Sequence, residues 1–182
     1  VDDAESPSTP RLQFSRHVWE QPTADPPALA VFGYTEEPGG FAGRRAAVTT
    51  WRYPDADTFV AALDVFAVVP DWAWNSRRAY VADTTDLVET ATFEATLEPL
   101  GDFGEYVIRF PESLDPGYYL VVAEPEGQRL QAWLQVTDLA TYAAVSDPKT
   151  LVWVNDAATG APIAGARVTG GGLQAATGPD GV

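Results

Sequence analysis

Histidine is the side chain on which general-base and metal chemistry most often depend, and this sequence holds a single one, His17, in RLQFSRHVW. A Ser-His-Asp triad would depend on His17 alone, and no site built from several histidines can form. The stretch around it is typical of an edge strand, so we expect an ordinary surface or packing role. The sequence has no cysteine, which excludes thiolate nucleophiles, thiolate metal sites and disulfides from this chain.

Two glutamates, Glu94 and Glu98, have the residue type needed for the acid and base of a glycosidase. They lie in the alternating stretch TFEATLE (92–98). On one strand this spacing puts both side chains on one face but roughly 13 Å apart at the backbone. We therefore interpret them as solvated residues of a sheet face.

Oxygen-bearing side chains gather in three expected turns, a pattern that could bind calcium. None has the ligand spacing of an EF-hand loop, and N-caps and Asx-turns explain the same residues. The glycines at 170–172 lack the lysine and the following helix of a phosphate loop. We predict no catalytic, cofactor-binding or metal-binding residue, no cofactor and no enzymatic activity in this chain. The oxygen ligands considered are Asp55, Asp57, Asp83, Asp86, Asn155 and Asp156.

Three tryptophans, Trp72, Trp74 and Trp133, could present indole faces to sugar rings, as in a carbohydrate-binding module. Packing in the core or against a neighbouring domain would use the same side chains. PDWAWNSRRAY (70–80) predicts a loop whose two tryptophans hold it against the protein. In LQAWLQV (130–136), Trp133 alternates with the inward-facing apolar residues and is expected on the opposite face.

The charge balance restricts the possible partners. The 182 residues include 11 basic and 26 acidic side chains, which give a formal charge of −15. Such a surface repels phosphate backbones and anionic membranes, so we predict no nucleic-acid partner. The sequence is 46% hydrophobic, enough to bury the core of a folded domain, and no apolar run reaches the length of a bilayer span.

Stretches with a period of two dominate the sequence, separated by short links rich in Gly and Pro. In TFEATLE, Phe93, Ala95 and Leu97 face one way, which is typical of an antiparallel sheet with one wet face. GYYLVVAE (117–124) is apolar on both faces and is expected at the centre of a sheet. The pattern predicts an all-β fold, an antiparallel β-sandwich. Further strands are expected at 28–36, 44–53, 105–110 and 130–136.

One segment departs from this period. DADTFVAALDVF (55–66) predicts a single short helix that packs on the sandwich, with Asp55 or Asp57 as its N-cap. The apolar stripe expected to face the sheet consists of Phe59, Val60, Leu63 and Phe66.

We expect three segments: a linker or tail at 1–10, a complete sandwich at 11–138 and the first part of a second sandwich at 139–182. The stretch 137–150 is expected to link the two sandwiches. LVWVND, the turn AATGAP and AGARVTG are expected to form a hairpin of the second. Because this second part is too short to cover both faces of a sandwich, we expect the chain to be a segment of a longer protein.

Three passages, in this order, resemble bacterial α2-macroglobulins. RRAAVTTWRYPDADTFVAAL resembles a strand that runs through an acidic, Pro-containing turn into a Phe-bearing helix. IRFPESLDPGYYLVVAE with LQAWLQVTDL resembles the closing strands of a macroglobulin domain. LVWVNDAATGAPIAGARV and TGPDGV resemble the opening of the following domain. The likeness covers residues 28–182.

The resemblance implies a structural module, in a row of macroglobulin-like sandwiches, of a broad-spectrum protease inhibitor that traps endopeptidases. Its partners would be neighbouring macroglobulin domains of the same chain and, through the full-length protein, target endopeptidases. It also implies export to the periplasm, cell surface or exterior, with or without a membrane anchor elsewhere in the protein. The family's Cys-x-Glu-Gln thioester motif is absent from this sequence. An Ig-like module of an extracellular adhesin or polysaccharide-binding array stays open as the alternative.

Overall fold

A computed structural model of the chain describes residues 11–37, 39–101, 104–147, 149–170 and 172–182. The linker or tail predicted at residues 1–10 lies outside them. The chain divides between Val136 and Thr137 into two compact units.

The described residues of the first unit form two β-sheets. The strands are β1 (Arg11–Phe14), β2 (Val18–Gln21), β3 (Ala28–Tyr34), β4 (Arg45–Arg52), β5 (Val88–Thr96), β6 (Glu98–Pro99), β7 (Glu105–Arg109), β8 (Gly117–Pro125) and β9 (Leu130–Val136). One sheet has the order β1-β3-β7-β6, and the other has the order β2-β9-β8-β4-β5. Both faces of β8 are buried, and it lies at the centre of the five-stranded sheet as predicted.

The two sheets enclose an apolar core. Leu29 and Ile108 of the four-stranded sheet and Val48 and Val121 of the five-stranded sheet are fully buried in it. The alternation expected in TFEATLE is present, since Ala95 is buried and its neighbours Glu94 and Thr96 are exposed. The structure confirms the all-β sandwich.

One strand pair differs from the expected antiparallel arrangement. Strand β2 pairs with β9 in parallel, from Val18 opposite Trp133 to Gln21 opposite Val136. Only residues 15–17 separate β1 from β2, and the chain changes sheets there instead of forming a hairpin. A strand that does not turn back on its predecessor is not forced to pair antiparallel.

Helix α1 (Ala56–Ala67) forms where the sequence predicted it. Its N-cap is Asp55, whose carboxylate accepts a hydrogen bond of 2.8 Å from the Thr58 N–H. Phe59 and Phe66 are buried against the outer face of the five-stranded sheet. The expected stripe is wrong at Val60, which is 51% exposed.

A second helix, α2 (Trp74–Ala79), lies within the stretch that was expected to be a loop, so the expectation of a single helix was wrong. Its six residues have no side-chain N-cap, which is why no local signal announces it. The two tryptophans of the stretch 70–80 do not hold it against the protein as expected, since Trp72 and Trp74 are 78% and 68% exposed. In the described chain, neither helix has the length and apolarity needed to cross a membrane.

The second unit contains two separate β-hairpins among its described residues. Strand β10 (Leu139–Ser146) pairs with β11 (Lys149–Asp156), and β12 (Arg167–Gly170) pairs with β13 (Leu173–Ala176). The expected link at 137–150 is therefore largely a strand, and LVWVND pairs with the strand before it rather than with AGARVTG. Strand β10 was not predicted because its sequence, LATYAAVS, lacks the alternation of apolar and polar residues that reveals a half-buried strand. Its residues are mostly exposed.

The turn predicted at AATGAP is present. The Asp156 N–H donates to the Ala161 carbonyl at 2.8 Å, and the Ile163 N–H donates to the Val154 carbonyl at 2.9 Å. Gly160 adopts a φ of 70°, a left-handed conformation that glycine tolerates. The turn is thus fixed by local sequence even though the strand pairing around it is not.

Candidate functional site

Phe66 lies at the centre of an aromatic cluster where α1 packs on the five-stranded sheet. Its ring centroid is 4.7 Å from that of Trp133, 4.9 Å from that of His17 and 5.3 Å from that of Tyr80. Trp133 is fully buried, and its indole N–H donates to the Tyr53 hydroxyl at 3.0 Å. The sheet face that carries Trp133 is thus covered by helix α1, and the packing interpretation holds for this tryptophan.

Arg77 connects α2 to this cluster. Its guanidinium carbon lies 4.7 Å from the centroid of the Phe66 ring, within the range of a cation–π interaction. Its Nε–H donates to the Val69 carbonyl at 2.9 Å, and its Nη2 lies 2.6 Å from a carboxylate oxygen of Asp71. Three different contacts therefore hold a single arginine side chain, which fixes the orientation of α2.

A groove of about 310 Å³ runs beside this cluster, and we refer to it as the His17 groove. Its lining includes His17, Phe66, Asp71, Trp74, Arg77 and Arg78. Half-burial lowers the pKa of His17, the Arg77 guanidinium lowers it further, and Asp71 opposes both effects. His17 is therefore a neutral ring packed edge-on against Phe66. Its one carboxylate neighbour in the described chain, Asp71, is already paired with Arg77.

A shallower depression of about 470 Å³ adjoins the groove, and we refer to it as the Trp72 shelf. Besides Ala73, it is lined by Arg11, Trp72, Trp74, Asn75, Ser76 and Arg78. Trp74 and Arg78 line both the shelf and the groove. Arg11 comes from the outward face of β1, and the other residues come from α2 and the turn before it. The shelf therefore forms only when β1 and α2, which are about 60 residues apart in the sequence, lie side by side.

The structure separates the two glutamates that could have formed a catalytic pair. Glu94 lies on β5 of the five-stranded sheet, and Glu98 lies on β6 of the four-stranded sheet. The expectation that both belong to one strand face was wrong, because the chain changes sheets at Leu97, whose side chain is fully buried. Each glutamate instead pairs with an arginine, Glu94 with Arg45 at 3.0 Å and Glu98 with Arg109 at 2.9 Å.

The candidate calcium ligands occupy helix caps and turns. Asp83 accepts hydrogen bonds of 2.9 and 2.6 Å from the N–H and hydroxyl of Thr85. Asp156 accepts two bonds of 2.7 Å from the N–H and hydroxyl of Thr159. These bonds lower the pKa of both carboxyls. Among the residues that the structure describes, no three His, Asp or Glu side chains are grouped closely enough to hold a metal ion.

Sequence reasoning missed the arginines that accompany the two exposed tryptophans. Arg77 and Arg78 form a basic pair directly after WAWNS in a strongly acidic chain, and this pair is the local signal that could have been used. No local sequence signal indicates that Arg11 and Gln13 of β1 lie close to α2. Gln13 accepts a hydrogen bond of 3.4 Å from Arg78, and only the tertiary structure brings β1 and α2 together.

The lowered pKa of His17 gives a pH-dependent stability. The unfolded chain binds a proton near the ordinary pKa of 6.5, above the lowered value in the folded state. The contribution of neutral His17 to the free energy of unfolding is therefore complete above the ordinary pKa of 6.5. It is lost as the pH falls from there toward the lowered pKa of the folded state. We expect the wild type to lose more free energy of unfolding than His17→Gln between about pH 7.5 and about pH 5.5. Urea titrations of both proteins measure this, and parallel losses would contradict it.

The sequence and the structure differ in what they match among known proteins. No protein-family model matches the sequence, and no curated protein matches it significantly. The structure is similar to that of native alpha-2-macroglobulin from Escherichia coli spanning domains MG0, NIE and MG1, with a TM-score of 0.59 and 15% identity. This match covers 94% of the chain and 55% of that structure's chain.

A second structure of the same Escherichia coli protein, spanning domains NIE and MG1, is similar with a TM-score of 0.57 and 14% identity. The match covers 94% of this chain and 84% of that one. At such low identity the likeness concerns the fold. The chain therefore has the macroglobulin β-sandwich fold that its sequence passages indicated, and it resembles the NIE and MG1 domains of a bacterial α2-macroglobulin.

Proposed function

We propose that this chain is a structural module of an α2-macroglobulin-like, broad-spectrum protease inhibitor that traps endopeptidases, and that it carries out no catalysis. The observation that carries the proposal is the backbone likeness to bacterial α2-macroglobulin domains over 94% of the chain at a TM-score of 0.59. The three sequence passages in their family order support it independently of the backbone comparison.

The side chains support a structural role. The His17 ring packs against Phe66 beside a guanidinium that lowers its pKa, and it has no free carboxylate neighbour among the described residues. The glutamates considered for acid–base work are exposed and bound to arginines. Buried apolar residues, by contrast, fill the space between the two sheets. A rigid sandwich of this kind suits the wall of a cage.

The proposal includes partners and a location. The neighbouring macroglobulin domains of the same protein would contact this module, and endopeptidases would be bound by the full-length inhibitor. The protein would be exported to the periplasm or the cell surface, with or without a membrane anchor. The formal charge of −15 supports the absence of a nucleic-acid partner.

A panel of endopeptidases tests this function. The full-length protein is expected to slow the cleavage of large protein substrates while sparing small peptide substrates, because a trapped protease keeps its active site. The 182 residues alone should leave both activities unchanged, because they carry no thioester cysteine. Stoichiometric inhibition of small-peptide cleavage by these residues alone would overturn the structural-module proposal.

The alternative function predicts a different result in the same assay. An Ig-like module of an adhesin or polysaccharide-binding array would belong to a full-length protein that leaves every endopeptidase unaffected on large substrates. That result, together with glycan binding by the full-length protein, would replace the inhibitor proposal with the alternative.

A further inference from the structure

The Trp72 shelf presents two indole rings to solvent. Trp72 and Trp74 are 78% and 68% exposed, and both line this one depression. A contiguous patch of exposed apolar surface marks a binding site on a soluble protein more often than an isolated exposed side chain does. Here they lie on α2 and the turn before it, which Arg77 anchors through its contacts with Phe66, Val69 and Asp71.

The charge of the shelf is opposite to that of the chain as a whole. Its lining contains two arginines, Arg11 and Arg78, and no carboxylate. Within the described residues, neither arginine forms an ion pair, whereas Arg44, Arg45 and Arg109 each pair with glutamate. A cationic patch on a protein of charge −15 attracts an anion to that place, because the rest of the surface repels it.

We propose that the Trp72 shelf binds an acidic polysaccharide, with sugar rings stacked on Trp72 and Trp74 and uronate carboxylates paired with Arg11 and Arg78. The C–H groups on the face of a pyranose ring carry partial positive charge and are attracted to the negative face of an indole. Arginine binds carboxylates through two parallel hydrogen bonds. Asn75 and Ser76 line the same depression and supply hydrogen-bonding groups for sugar hydroxyls.

The shape of the shelf favours a sugar over an acidic peptide. Peptide side chains that contribute strongly to binding need a deep, desolvated pocket, and both indoles are mostly exposed. A sugar ring needs only one flat face. A nucleic acid is a poorer fit, since a duplex carries one charge per about 1.7 Å and would be repelled by the remaining surface. A uronate polymer carries at most one charge per ring.

Affinity measurements with the 182-residue chain and oligogalacturonate test the proposal. We expect oligogalacturonate to bind, a neutral galactan of similar length to bind at least about tenfold more weakly, and added salt to weaken the interaction. Changing Trp72 and Trp74 together to alanine is expected to reduce affinity by about tenfold or more, because both stacking faces are lost. Arg11→Gln with Arg78→Gln should abolish the preference for the charged glycan.

Two matched controls separate the shelf from general surface effects. Tyr142→Ala removes an exposed aromatic ring of the second unit, and Arg45→Gln removes an exposed arginine of β4; neither should change the affinity. Equal binding of the neutral galactan would overturn the proposal, as would tighter binding of polyglutamate than of oligogalacturonate or no binding at all. This test is independent of the protease-trap proposal, since a trap module can carry a glycan surface and a failed protease assay leaves the affinities unchanged.

Discussion

Replacing Trp133 by alanine is expected to lower the free energy of unfolding by about 3–5 kcal/mol. The indole is fully buried between β9 and α1, and its ring centroid lies 4.7 Å from that of Phe66. Its loss leaves a cavity on the outer face of the five-stranded sheet. It also leaves the hydroxyl of Tyr53, a buried residue, without the indole N–H that donates to it. Urea denaturation followed by far-UV circular dichroism measures the change.

Trp72→Ala is the matched control for this substitution. It deletes the same side chain at a position that is 78% exposed, so the expected change is within about 0.5 kcal/mol. Similar losses in the two variants would show that Trp133 is not buried under the helix.

Gly104→Ala is expected to lower the free energy of unfolding by about 3 kcal/mol or more. Gly104 lies directly before β7 with a φ of +74°, and an alanine there pays about 1–2 kcal/mol for the left-handed conformation alone. Its Cβ would also lie 2.5 Å from the backbone carbonyl oxygen of Gly33. The backbone cannot yield easily at this point, because the Gly33 N–H donates to the Gly104 carbonyl at 2.8 Å. The clash adds a cost typical of overpacking.

Gly127→Ala separates the two contributions. Gly127 has nearly the same φ, +76°, but no heavy atom lies within 4 Å of its added Cβ. We expect Gly127→Ala to lower the free energy of unfolding only by the cost of the left-handed conformation, about 1–2 kcal/mol. The difference between the two midpoints of urea denaturation measures the clash, and a smaller loss for Gly104→Ala than for Gly127→Ala would contradict the close approach of β3 and the residue before β7.

The sequence alone determined the elements whose causes are local. Helix α1 forms because Asp55 can cap it within three residues and because Phe59 and Phe66 recur at helical spacing. The part of β5 at TFEAT (92–96) forms because its alternation suits one buried face. The turn around Gly160 forms because glycine tolerates a positive φ. For the candidate site, the sequence supplied Trp72, Trp74 and His17 as residues of interest.

The tertiary structure alone decided which distant segments meet. Strand edges offer the same backbone hydrogen bonds to any partner, so the sequence could not show that β2 joins β9 in parallel or that β11 pairs with β10. The burial of Trp133 depends on a helix from another part of the chain covering its face of the sheet. Arg11 and Arg78 likewise line one depression only because β1 and α2 are brought together in the folded chain. Local patterns specify which face of an element is apolar, but only the packed chain determines what covers that face.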